Sequence, residues 1–155
     1  MSNYNYLYIG GTIVIIALEE AKLKLISLRA DIKELGNALK IVDLKSKAEE
    51  LEAETLDPNF WSNPDKANKI TQTIKQSRDT IDDYEKLCER LEDAIALAEM
   101  AIEEEDEDST EEVLSELKEI EETAERERIS VLLCGEYDKN NAIVSFHPGA
   151  GGTEA

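Results

Sequence analysis

The stretch "ANKITQTIKQSRDTIDDYEKLCERLEDAIALAEMAI", Ala67 to Ile102, decides the fold of this chain. Ala67, Ile70, Ile74, Ser77, Ile81, Tyr84, Cys88, Leu91, Ile95, Ala98 and Ile102 recur at alternating steps of three and four. That spacing lays them along one stripe of an α-helix. Leu87, Ala94 and Ala101 widen the stripe toward its end. Around "AIALAEMAI" the helix is apolar on nearly every side, so more than one neighbour has to cover it. Asn63-Pro64 supplies a cap and a first helical residue. From Pro64 to about Glu105 such a helix spans about 60 Å.

Downstream, "EEEDED" (Glu103, Glu104, Glu105, Asp106, Glu107, Asp108) cannot pack and reads as an exposed tip or turn, a possible partner-facing surface. Ser109 then opens the S-x-x-E pattern of a capping box with Glu112. A further helix carries Val113, Leu117, Ile120, Ala124 and Val131. These two helices form an antiparallel hairpin with an acidic tip. Helix signals fade near Leu133, and "GEYD" reads as a turn.

Upstream, Leu18, Ala21, Leu25, Leu28, Ile32 and Leu35 make the stripe of a first helix, with Gly36-Asn37 expected to end it in a left-handed turn. A shorter helix is expected from Asp43, its N-cap, to about Leu56, with Leu44, Ala48 and Leu51 facing inward. Both pack against the base of the hairpin in this reading. "DPNFWSNPDKA" (Asp57 to Ala67) interrupts the helices with two turn signals, Asp57-Pro58 and Asn63-Pro64. Between them, Phe60 and Trp61 read as a structural plug that folds the loop onto the bundle. A stacking platform for a nucleic-acid base fits less well, because no basic cluster surrounds the pair.

The two ends differ from the middle. "YLYIGGTIVIIAL" (Tyr6 to Leu18) is apolar but shorter than the ~20 residues that span a bilayer. No Lys or Arg precedes it, so it lacks the basic start of a secretion signal. Met1 to Gly11 reads as a loose tail and Ile13 to Leu18 as a packed or extended lead-in, with a short membrane anchor the weaker alternative. At the other end Ala142, Val144 and Phe146 alternate with Ile143, Ser145 and His147, the pattern of a strand. A lone strand cannot bury both faces, so it reads as the first element of a second, truncated α+β domain. The expected organisation is a lead-in over 1–17, a helical arm over 18–134 and the start of another domain over 135–155. The fold class is mainly α, an elongated antiparallel helical bundle.

Composition bounds the chemistry. The 155 residues carry 36 acidic and 17 basic side chains, a formal charge of −19. That opposes a nucleic-acid surface, which needs clustered Lys and Arg, and equally an anionic membrane. A solvated, self-repelling surface remains. Cys88 and Cys134 are far apart and form no CxxC, so neither a disulfide framework nor a metal signature is present. Reduced thiols in a cytosol fit them. The glycine loop "GAGGTEA" (Gly149 to Ala155) has no Lys-Ser/Thr pair and is not G-x-G-x-x-G. Glu154 would repel a phosphate. His147, the single histidine, has no evident partner as a general base. Glycines that let strand and helix approach closely are the simpler account. No catalytic, cofactor or metal residue is assigned.

"DPNFWSNPDKA", the acidic hairpin and above all "LCGEYDKNNAIVSFHPGAGGTEA" resemble the bacterial peptide chain release factors, over roughly Leu18 to Ala155. "DPNFW" and "GEYD" separate the branch that reads UGA and UAA from its sister branch, which lacks both. The first 17 residues depart from the family pattern. The resemblance implies a factor that enters the ribosomal A site and reads the stop codon through a tripeptide. It then places a Gly-Gly-Gln loop where water hydrolyses the peptidyl-tRNA ester. Neither the tripeptide nor that loop lies in this sequence; Gly151-Gly152 is followed by Thr153. The resemblance further implies a helical arm directed at the ribosomal stalk base and at the recycling GTPase, on a cytoplasmic monomer that is not itself an enzyme and binds no DNA, membrane or cofactor. An acidic arm suits a protein partner better than ribosomal RNA. Two readings from other classes rest on generic features: a coiled-coil scaffold or dimerisation module on the heptads, and a phosphate-binding enzyme on the glycine loop.

Overall fold

The computed structural model describes residues 4–137, with side chains over 14–133. The strand expected over Ala142 to His147, the glycine loop and the setting of Cys134 lie outside the described residues. Within them the chain forms α1 (Tyr4–Ala38), α2 (Ile41–Glu54), a 3-10 turn (Phe60–Ser62), α3 (Pro64–Glu103) and α4 (Thr110–Tyr137).

The spine is α3, 40 residues long. Every member of its expected stripe, from Ala67 to Ile102, is buried or half-buried. Its wide C-terminal half is covered twice. Leu87, Leu91, Ala94, Ile95, Ala98 and Ala101 share one core with Leu18, Ala21, Leu25, Ile32 and Leu35 of α1 and with Val113, Leu117 and Ile120 of α4. The narrow N-terminal half is covered by α2, which buries Ile41 and Ala48.

Polar pairs mark the register. Lys22 of α1 meets Glu99 of α3 at 2.9 Å, and Arg29 grips Glu92 through both carboxylate oxygens. Positions rise along α1 as they fall along α3, so the two run antiparallel. Arg78 makes two bonds of 2.8 Å to Glu52 of α2, and Lys45 pairs with Glu85. Arg90 reaches Glu116 at 2.9 Å and Glu119 at 2.8 Å on α4. These pairs lie at the surface, where each contributes little stability, but their geometry fixes one sliding position. The hydrogen bonds to Arg78, more than its charge, hold the Glu52 carboxyl below its usual range.

Several expected boundaries move. α1 is helical from Tyr4, so Tyr4 to Gly11 is not a loose tail nor Ile13 to Leu18 an extended lead-in. The run of β-branched residues costs only a few tenths of a kcal/mol each in a helix, and propagation from an existing helix meets no nucleation barrier. α1 also runs through Gly36-Asn37 to Ala38. The left-handed residue is Lys40, at φ 55 and ψ 44, and α2 starts at Ile41 with Asp43 in its first turn. Asp43 favours that turn through the helix dipole rather than as a cap. α2 ends at Glu54 rather than Leu56. α4 starts at Thr110 and continues through Gly135 to Tyr137, so "GEY" is helical rather than a turn. α1 does not sit at the base of the hairpin; it lies along the half that ends in the tip, and α2 alone takes the base.

Gly36 has a steric rather than a conformational role. No glycine among the described residues has positive φ. A Cβ at Gly36 would overlap the Tyr84 phenol, Oη and Cζ alike. The missing methyl therefore lets α1 and α3 close over Tyr84. Alanine in place of glycine inside a helix ordinarily stabilises by roughly 0.8–1 kcal/mol. Overpacking costs roughly 1–3 kcal/mol. Gly36→Ala is expected to lower stability by about 1 kcal/mol in urea melts, and in a Tyr84→Ala background the sign should reverse. Stabilisation by Gly36→Ala in the natural background would remove the steric account.

Candidate functional site

The two stretches singled out in the sequence, the Phe60–Trp61 loop read as a plug and the acidic run read as a partner-facing tip, lie at opposite ends of α3. The first is the connection from α2. Thr55 Oγ donates to Glu52 O at 2.7 Å as α2 ends. Asp57 Oδ1 accepts the Asn59 N–H at 2.7 Å, and its carbonyl accepts the Phe60 N–H at 2.9 Å. Asn63, in extended conformation, caps α3 by accepting the Lys66 N–H at 3.1 Å, with Pro64 following as the first helical residue. The loop is thus held by its own short polar residues.

Phe60 and Trp61 stand edge to face, with ring centroids 5.0 Å apart. Phe60 is half-buried, but Trp61 is 63% exposed. The plug expected of the pair therefore does not hold for Trp61. Successive residues of a 3-10 turn point about 120° apart, so only one of two neighbours can face the helices. Leu56, 82% exposed, adds to the apolar surface here. Removing an exposed ring changes little. Trp61→Ala is expected to shift the urea midpoint by the equivalent of under about 0.5 kcal/mol. A loss of several kcal/mol would show the ring to be buried after all.

The second surface is the acidic turn. α3 closes with the backbone bonds Glu105 N–H to Ile102 O and Asp106 N–H to Ala101 O, at 3.4 and 2.9 Å. Glu105 is left-handed, at φ 53. This is a Schellman ending, with glutamate where glycine is usual. The six acids are not equivalent. Asp106 is half-buried while Glu103, Glu104, Glu105, Glu107 and Asp108 are exposed. Asp106 Oδ2 accepts the Ser109 hydroxyl at 2.6 Å and Oδ1 accepts the Asp108 N–H at 3.0 Å. Ser109 therefore ties the turn to Asp106, and the expected capping box with Glu112 is replaced by this bond. The Ser109 hydroxyl first, and the Asp108 N–H second, hold the Asp106 carboxyl below its usual range.

A depressed carboxyl stabilises the fold above its unfolded pKa of about 3.9, and the contribution is lost as pH falls through the lower folded value. Asp106→Ala should lower the melting temperature at pH 7 and shrink the gap to the wild type below pH 4. Neutralising the other five acids together should leave the melting temperature unchanged or raised, since it removes only repulsion. Equal effects from the two variants would make the turn a plain charge cluster.

Among the described residues no group of three or more His, Cys, Asp or Glu is placed to hold a metal ion. No helix among them is long and apolar enough to cross a membrane. Burial, and next the Cys88 thiol, push the Tyr84 phenol up to about 12, so it stays neutral in its packing role. Two features of the structure have no signature in the sequence. One is the distinct role of Asp106. The other is a groove between α1 and the second half of α4, lined by residues from Leu28 to Ala38 and from Glu121 to Leu132. Six adjacent acids look alike in a sequence, and a groove belongs to two helices at once.

Comparison with known proteins finds the PCRF domain over residues 44–155. Peptide chain release factor 2 of Clostridium perfringens (strain SM101 / Type A) is 38% identical over 142 residues, covering 92% of this chain and 39% of that protein. The protein of the same name from Petrotoga mobilis is 36% identical over 139 residues, covering 88% of this chain and 37% of its own. That of Sulfurovum sp. (strain NBC37-1) is 36% identical over 129 residues, covering 83% and 35%. The chain thus spans well under half the length of these relatives.

Proposed function

Because the chain belongs to the PCRF-domain family, that of the peptide chain release factors, we propose that it acts in translation termination as the helical arm of such a factor. The observation that carries this reading is the family match across most of the chain, joined to a fold that is an extended helical scaffold. In the proposal the complete factor reads UGA and UAA on the ribosome and promotes hydrolysis of peptidyl-tRNA. Its Gly-Gly-Gln loop and codon-reading tripeptide are not in these 155 residues. The arm orients the factor, with its acidic turn toward the stalk base of the large subunit and the recycling GTPase. The excess of acid over base suits a basic protein face there and disfavours RNA and DNA, whose phosphates repel it. The protein is a cytoplasmic monomer in this account, and its arm is not an enzyme.

Ester hydrolysis needs a positioned water and donors aimed at one developing oxyanion. The 155 residues alone should therefore release no labelled peptide from stop-codon complexes. A chain extended to the length of the relatives should release it at UGA and UAA. Codon-dependent release by the 155 residues would overturn the division of roles. Failure of an extended chain carrying an intact Gly-Gly-Gln would overturn the termination reading.

A further inference from the structure

α1 and α4 both run antiparallel to α3, so they lie parallel to each other and leave a furrow between them. Its floor is apolar: Leu28 and Leu35 from α1, Ala124 and Val131 from α4. The cavity measures about 430 Å³. Small side chains open it, with Ala124 on one wall and Ala38 at the end of the other. Leu132, also lining it, is 64% exposed. An apolar floor of this size, open beside an otherwise charged surface, is a feature that a partner can use.

The rim is of one sign. Asp31 and Glu34 stand on the α1 side and Glu121 and Glu125 on the α4 side, against the single guanidinium of Arg128. All four carboxylates belong to exposed residues. None takes part in the ion pairs that lock the helices together among the described residues. Among the described residues no ion pair neutralises them, and their exposure presents them to positive charge from outside. From Glu121 to Leu132 the α4 wall runs about 16 Å, three turns of helix. An apolar floor between two acidic rails is the complement of a helix with leucines on one face and lysines or arginines on its flanks.

We propose that the α1–α4 furrow is a docking site for a basic amphipathic helix of a partner protein. The aliphatic face fills the space over Leu28 and Val131, and the basic flanks pair with Glu121 and Glu125 on one side and Asp31 and Glu34 on the other. The site is distinct from the acidic turn, beginning about 16 Å along α4 from it. It does not depend on the termination reading.

The test must separate a shaped site from attraction to any acidic protein. The probe is a short fluorescein-labelled helical peptide of leucine and lysine with the leucines on one face, titrated with the whole chain and followed by anisotropy. Saturable binding that weakens with salt is expected, with none for the counterpart that carries glutamate in place of lysine. Glu121→Lys with Glu125→Lys should weaken binding by about tenfold or more. Leu132→Ser should weaken it by about threefold or more without altering charge. Glu103→Lys with Glu104→Lys, the same change in charge at the turn, should leave it near the wild-type value. All the altered side chains are exposed, and unchanged far-UV circular dichroism confirms the fold of each variant. Equal loss from the two charge reversals, indifference to Leu132→Ser, or absence of saturable binding would each overturn the proposal.

Discussion

A helix of 40 residues has to bury a stripe that changes width along its length, and the rest of the architecture answers that demand. From Ala67 to Ile81 the stripe of α3 is narrow and interrupted by Ser77, and one short helix suffices to cover it. From Leu87 to Ala101 it broadens to most of the circumference, and two helices are needed. α1 and α2 are in effect one strip laid back along α3, broken at Lys40 where the cover changes from two helices to one. The break costs a left-handed non-glycine residue, about 1–2 kcal/mol, which the packing on both sides offsets.

Hydrophobic burial supplies the stability but tolerates sliding, because heptads repeat. Specificity of register comes from elsewhere. Arg29 with Glu92 and Arg78 with Glu52 are fork-like, two-bonded grips, and Arg90 bridges Glu116 and Glu119 through one nitrogen, at three levels of α3. Gly36 against Tyr84 adds a steric notch that only one alignment satisfies. The charge excess outside these grips keeps the surface solvated.

The stripes were legible in the sequence because spacing alone sets which side of a helix a residue occupies. Leu18 through Leu35 and Ala67 through Ile102 all turn inward. Termini were less legible. Gly36-Asn37 has the composition of a helix end, yet glycine was required there by a tyrosine 48 positions away, which no local pattern records. Trp61 was read from its size, whereas its exposure follows from which way one residue of a tight turn faces. Asp106 was hidden among like charges because its distinction is a hydroxyl three residues on and a backbone N–H two residues on.

The length of α3 has a mechanical consequence. One continuous helix about 60 Å long, braced on one side or two along its whole course, behaves as a stiff rod joining the Phe60–Trp61 loop to the acidic turn. A tilt of about 10° imposed at one end carries the other through about 10 Å, twice the pitch of the helix itself. The protein can thus convert a small reorientation at either end into a large displacement at the other without unfolding a single turn, and the stiffness of the braced spine sets how much torque is transmitted.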